Sequence, residues 1–314
     1  MSTVAGIRGA LLPLPTVFDG SGEVDEPVMR DLTQFYLAQR SHGFFLCGSF
    51  GQGPAMRTEQ RKRVAALVAE EIRDRVPLVV HIGAADPYTG IELGLHARSI
   101  GATAVSMIAP YYYNDRSADE IVLHFGMVDE AVQLPVLIYN NPAYQGYEMR
   151  PKFMQRLARA IPRAFGASIA TSETKGTMDE ALPYMEALPQ WAIFGSVCIL
   201  MPGMQQGIRG AISPPITLAP ELAVALVEAI DAGRTDEASW LQTLVTEVAQ
   251  TLARLMASYG RAPCLEGLRD LGFAVKQYPR WPTVSMPDDE RTFFLDLLRR
   301  VRGATSWMLQ KQDR

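Results

Sequence analysis

A glycine-bracketed turn, Gly48-Ser49-Phe50-Gly51-Gln52, offers the first chemistry in this sequence. Its glycines allow consecutive backbone N–H groups to converge on one anion, and Ser49 adds a hydroxyl. The same residues also suit an ordinary tight turn. Two tyrosine-bearing stretches follow, Ala109-Pro110-Tyr111-Tyr112-Tyr113-Asn114 and Tyr139-Asn140-Asn141-Pro142. A phenol ordinarily titrates at about 10, so it moves protons only when neighbours hold it in a chain. Tyr139 therefore needs a partner such as Ser49 or Tyr112; the other use of such a tyrosine is a packed ring with its hydroxyl tied down. The four histidines, His42, His81, His96 and His124, lie at no spacing with Cys, Asp or Glu that suits a zinc site. No metal is expected.

These residues need elements to carry them. Eight short apolar runs alternate with helical stretches: 9–12, 43–47, 78–82, 104–108, 136–139, 164–169, 191–194 and 210–213. Their unbroken apolar character suits strands of a parallel sheet buried on both faces. Between them, apolar stripes mark helices over 26–39, 58–72, 88–100, 118–132, 151–160 and 178–188. Thr58 is placed to cap the second of these, with Glu59 in its first turn. Loops are punctuated as in Asp19-Gly20-Ser21-Gly22 and Gly51-Gln52-Gly53-Pro54. Eight such units predict an α/β fold, a closed (β/α)8 barrel, over residues 1–219; a doubly wound open sheet is the alternative. The catalytic face of such a barrel is the C-terminal end of its strands, where the turn and the tyrosines fall.

Beyond residue 220 the strand pattern stops. Helices are expected over 220–232, 235–258, 265–271 and 288–301, a C-terminal helical domain (220–314) packed on the barrel without a flexible linker. The 314 residues carry a formal net charge of −4 and are 48% hydrophobic, which argues against disorder and against a nucleic-acid partner. The longest apolar runs, such as 77–82 and 135–139, fall far short of a membrane span of roughly 20 residues, so no membrane association is expected. Three cysteines, Cys47, Cys198 and Cys264, offer no disulfide framework, and residues 1–8 lack the charged start and apolar core expected of a signal peptide. A cytoplasmic setting is expected.

Taken in order, the motifs resemble the dihydrodipicolinate synthase and N-acetylneuraminate lyase family of pyruvate-handling barrels. Gly48-Ser49-Phe50-Gly51-Gln52 is similar to its Gly-Thr/Ser-Thr-Gly-Glu turn, Ala109-Pro110-Tyr111-Tyr112 to its Pro-Pro-Tyr-Tyr, and Tyr139-Asn140-Asn141-Pro142 to its Tyr-Asn-x-Pro. Gly195-Ser196, Gly210-Ala211-Ile212-Ser213 and Tyr278-Pro279-Arg280-Trp281-Pro282 continue the match almost to the end of the chain.

The resemblance implies a lyase acting on a 2-oxo acid by aldol cleavage, condensation or dehydration, with no cofactor and as a homo-oligomer, a dimer or tetramer. It implies that Tyr139 donates and accepts protons and that Ser49 relays them. The N–H groups of Ser49 and Phe50 would hold the carboxylate, and Ser168 and Ile212 would complete the substrate pocket. Tyr112, or Tyr113 in its place, would be the relay tyrosine supplied to a neighbouring subunit.

In this family a strand-6 lysine forms a Schiff base with the 2-oxo acid, a step no hydroxyl can perform. Matching Pro162-Arg163-Ala164-Phe165-Gly166-Ala167 to strand 6 puts Ser168 at that position, and counting back from Gly195 gives Ala170. Of the five lysines, Lys62, Lys152, Lys175, Lys276 and Lys311, only Lys175 lies near the strand-6 end, several residues late. Tyr144 stands where the synthase branch has a substrate-binding arginine, which argues against aspartate semialdehyde as a substrate. Phe50 and Gln52 make the pocket less polar, in keeping with a more apolar reaction partner. A 2-oxo acid binding protein on a retired aldolase scaffold is the alternative. Phosphoryl-sugar chemistry ranks last, because Ser213-Pro214-Pro215 makes a poor phosphate turn.

Overall fold

The computed structural model describes residues 3–113, 115–172, 176–276 and 282–312. Eight parallel strands close into a barrel in sequence order: β1 (Gly9–Pro13), β2 (Phe44–Leu46), β3 (Leu78–His81), β4 (Ala104–Ile108), β5 (Val136–Asn140), β6 (Ala164–Ile169), β7 (Ala192–Gly195) and β8 (Gly210–Ile212), with β8 pairing back to β1. This is a TIM barrel, and the open-sheet alternative is excluded. Each expected run contains a strand, with ends that differ by one residue in places, as where β2 stops at Leu46. There Cys47 turns into the left-handed region at φ 56°, a conformation that ends a strand.

Because side chains alternate across a strand, every second residue enters the barrel. Leu11, Phe45, Val79, Ala104, Leu137 and Phe194 do so and form a buried inner cluster closed below by Ile7. The next inward position along β3 and β5 brings His81 and Tyr139 to the layer above that cluster. The opposite strand faces pack against the surrounding helices in one continuous outer core.

Helices Glu26–Ala38, Thr58–Ile72, Pro87–Ser99, Ala118–Val132 and Pro151–Ala160 fall where the apolar stripes predict them. The expected helix over 178–188 is reduced to Leu182–Ala187. Thr58 does not cap its helix: it is the first helical residue, Arg57 holds the cap position, and Gln60 Oε1 accepts the Arg57 N–H at 3.2 Å. Gln60, one turn in, accepts the N–H of the cap residue itself, the reciprocal half of a capping box.

After β8 the chain is helical. Pro220–Asp231 packs on β1 and beside Leu200–Gln205, and Thr235–Tyr259 lies against Val197–Ile199, Leu200–Gln205 and Pro215–Leu218. Ala262–Asp270 and Asp288–Gln312 complete the C-terminal extension. The last helix runs well past the expected end at 301. No helix among the described residues is long and apolar enough to cross a membrane.

All four histidines have their pKa pushed down, with burial the leading cause. His81, enclosed in the barrel and facing the field of Arg61, is held down to about 3; His124 is held down to about 4 by burial and then Arg116. Between the ordinary histidine value of about 6.5 and these values, the unfolded chain binds protons that the folded chain refuses. Stability therefore falls as pH falls through that window, by up to about 1.4 kcal/mol per pH unit for each such group. Urea denaturation at a series of pH values from neutral to about 4.5 is expected to show this slope, and His81→Leu to flatten it. A variant with the unchanged slope would refute the assignment to His81.

Candidate active site

The C-terminal mouth of the barrel holds two connected chambers. The smaller, about 300 Å3, is lined by Ser49, Phe50, Tyr139, Ser168, Thr171 and Ile212 among others. The larger, about 540 Å3, shares Ser49, Tyr139, Tyr144 and Met256 with it and adds Gln52, His81, Ile108, Tyr111 and Arg261. Met256 and Ala253 come from helix Thr235–Tyr259, so the C-terminal extension walls part of the mouth.

The turn after β2 is closely hydrogen-bonded. Three of its carbonyls are occupied: Gly53 N–H donates to Gly48 O at 3.1 Å, Gln52 N–H to Ser49 O at 3.2 Å, and Thr16 Oγ1 to Gly51 O at 2.7 Å. Across a trans peptide the next residue's N–H points opposite to the carbonyl. With Gly48 O directed to Gly53, the Ser49 N–H is directed away from it, and Phe50 N–H is likewise opposed to Ser49 O. Gly53 must be glycine here, because a Cβ would lie 1.7 Å from Cys47 O. The turn therefore packs tightly against its own strand end.

Tyr139 sits beside Ser168 in the β5–β6 register and beside Ile108 in the β4–β5 register. A register irregularity at Val136/Leu137 precedes that pairing. The Tyr139 hydroxyl lies 3.5 Å from Ser49 Oγ and accepts from Asn141 Nδ2 at 2.9 Å. Asn141 is itself held by its other amide end, which accepts Ala143 N–H at 3.1 Å. Asn141 thus engages the Tyr139 oxygen as an acceptor, beside the Ser49 hydroxyl.

The structure thus brings Tyr139, Ser49, Phe50, Ser168 and Ile212 into one chamber. Tyr112 is 85% exposed with φ 78°, packs edge-on against Tyr113 and lines neither chamber; Tyr111 is the member of that run that does. Burial raises the Tyr111 pKa, partly offset by Arg61. Lys175 and residues 278–281 lie outside the described residues. No lysine among the described residues lines either chamber.

Several contributors were not singled out from the sequence. Asn141 lay inside a quoted motif without a role, and its N-cap character was the available signal. His81 sits edge-on to Tyr139 with ring centroids 5.9 Å apart, both its ring nitrogens buried without a partner. Arg261 lines the larger chamber beside the turn after β2 and has no local sequence signal at all. Among the described residues no cluster of three His, Cys, Asp or Glu side chains could hold a metal.

The chain matches the model of the Dihydrodipicolinate synthetase family over residues 6–301. It belongs to that family. It is 32% identical over 225 residues to the 4-hydroxy-tetrahydrodipicolinate synthase of Thermomicrobium roseum, covering 71% of this chain and 72% of the relative. An uncharacterised DapA-like lyase of Halobacterium salinarum is 31% identical over 288 residues, 91% of each chain. Among solved structures, YagE, a prophage protein of the dihydrodipicolinic acid synthase family from E. coli K12 in complex with pyruvate, superposes with a TM-score of 0.86 at 23% identity, covering 94% of this chain and 99% of its own. The dihydrodipicolinate synthase of Aquifex aeolicus gives 0.83 at 21% identity, covering 94% and 98%. As a member of this family the protein has the family's lyase fold.

Proposed function

We propose that the protein acts as a lyase on a 2-oxo acid, by aldol cleavage, condensation or dehydration, in the smaller chamber. The observation that carries this reading is the placement of the Tyr139 and Ser49 hydroxyls, 3.5 Å apart, in the same chamber as the amide nest. The pyruvate in the YagE structure supports a ligand of that class.

In this reading the N–H groups of Ser49 and Phe50 hold the carboxylate, while Ser168 and Ile212 flank the oxo group. Ser168 cannot form an iminium, so it acts by hydrogen bonding to the oxo oxygen, a weaker electron withdrawal. The proton leaving the adjacent carbon passes to Tyr139 as the Tyr139 proton passes through Ser49 to water. Tyr112, exposed at the rim, reaches a neighbouring subunit of a dimer or tetramer. No cofactor takes part, and three buried free thiols suit a reducing, cytoplasmic setting.

The test is pyruvate titration by calorimetry together with exchange of the pyruvate methyl protons in D2O followed by NMR. Binding with exchange above the buffer rate supports the enzyme; absence of binding overturns the 2-oxo acid reading. A second reading, a binding protein on a retired scaffold, is favoured by Ser168 itself, and binding without exchange would establish it. Borohydride trapping of pyruvate on Lys175 would replace the hydrogen-bonding route by a Schiff base.

Asn141→Asp keeps the acceptor for Ala143 N–H but loses the donor to Tyr139. Exchange is expected to fall about tenfold, the loss of one hydrogen bond of roughly 1.4 kcal/mol in the transition state, with the thermal midpoint little changed. An unchanged exchange rate would remove Asn141 from the mechanism.

A further inference from the structure

The two carbonyls at the centre of the turn, those of Ser49 and Phe50, share a partner from the far end of the chain. Arg261 Nη2 donates to Ser49 O at 2.7 Å and Nη1 to Phe50 O at 3.1 Å. Its guanidinium also lies over the Phe50 ring, 5.3 Å from the centroid. We propose that Arg261, carried by the helical extension, is the positioning residue that sets the anion nest and supplies its positive charge. The proposal rests on the reading that the nest takes a 2-oxo carboxylate.

The geometry carries it in two steps. Among the described residues there are no cis peptides, so fixing the Ser49 and Phe50 carbonyls on one guanidinium turns the Phe50 and Gly51 N–H groups to the opposite side; of the two amides proposed to hold the carboxylate, Arg261 thus orients that of Phe50, while the Ser49 N–H is set by the bond from Gly53 to Gly48 O. A planar fork can take two consecutive carbonyls at once, whereas an ammonium offers a single point of charge. Arg261 is also the one permanently charged side chain among the described residues lining either chamber. One cation held on the turn's carbonyls, at the edge of the larger chamber, matches one carboxylate at its amides.

The site also depends on the extension. Arg261 immediately precedes helix Ala262–Asp270, 212 residues from Ser49 in sequence, and follows helix Thr235–Tyr259, which walls the mouth. The turn after β2 is therefore held from both sides, by its own strand end through Gly53 and by the extension through Arg261.

Calorimetric titration with pyruvate and with its uncharged methyl ester, on the wild type, Arg261→Ala and Arg261→Lys, tests this. Arg261→Ala is expected to bind pyruvate at least about tenfold more weakly while its affinity for the ester stays within about twofold. Arg261→Lys is expected to fall between, and added guanidinium ion to restore pyruvate binding to Arg261→Ala. Equal pyruvate affinity in the wild type and Arg261→Ala overturns the inference. So does parallel loss of both compounds without rescue by guanidinium, which would mark a merely structural role. A wild type that binds neither compound overturns the 2-oxo acid reading instead, so the two failures are distinguishable.

Discussion

With lysine in place of Ser168, the protein is expected to gain a pyruvate adduct at residue 168 on borohydride treatment and to exchange pyruvate methyl protons about a hundredfold faster or more. The reason is electronic. A primary amine beside Tyr139 converts the oxo group into an iminium, which withdraws the electron pair left on the adjacent carbon far better than a hydrogen-bonded ketone. A hundredfold gain is about 2.7 kcal/mol of barrier, a modest demand on covalent catalysis. The register places residue 168 directly beside Tyr139, and the chamber of about 300 Å3 gives the longer side chain room. Burial at 168, where the serine is 5% exposed, would also hold the amine below its ordinary pKa and keep part of it neutral for attack. Trapping followed by peptide mapping is the measurement. A folded Ser168→Lys protein that binds pyruvate yet forms no adduct would show that this position does not face the oxo carbon.

Tyr139→Phe is expected to lower pyruvate exchange by about 10²- to 10⁴-fold, the range for loss of a positioned acid–base group, with pyruvate affinity changed by less than about threefold. The phenyl ring keeps the packing against Phe45 and His81 that holds the tyrosine in place. What disappears is the hydroxyl shared between Asn141 and Ser49. The Asn141 donor loses its partner in a half-open chamber where water can replace it, so folding is little affected. Binding isotherms run beside the exchange assay separate the two effects. An exchange rate within threefold of wild type would mean that the proton moves by another route.

These expectations draw unequally on sequence and on structure. The alternation of apolar runs with amphipathic stretches is a local property, and eight repeats of it leave few folds open, so the barrel was legible. The turn at 48–52 was legible for a similar reason: its first glycine is required by a contact three residues away, Gly48 against the Phe45 ring. Helix ends were less so. Thr58 is the first helical residue and Arg57 the cap, its N–H held by the Gln60 side chain, so the helix starts one residue earlier than the Ser/Thr preference indicates.

The site divides along the same line. By itself the sequence determined the order of the β/α units, the glycine turn, Tyr139 at a strand end and the absence of a lysine at 168, since each depends on residue type at a short spacing. Only the tertiary structure decided which members of the tyrosine run face the chamber, because that follows from a left-handed residue at Tyr112 and from how β4 leaves the barrel. It alone set Ser168 beside Tyr139, through a register that contains an irregularity no periodicity reveals. And it alone brought Arg261 to the carbonyls of Ser49 and Phe50: a hydrogen bond is blind to the 212 residues between its partners and is fixed by how the extension packs on the barrel.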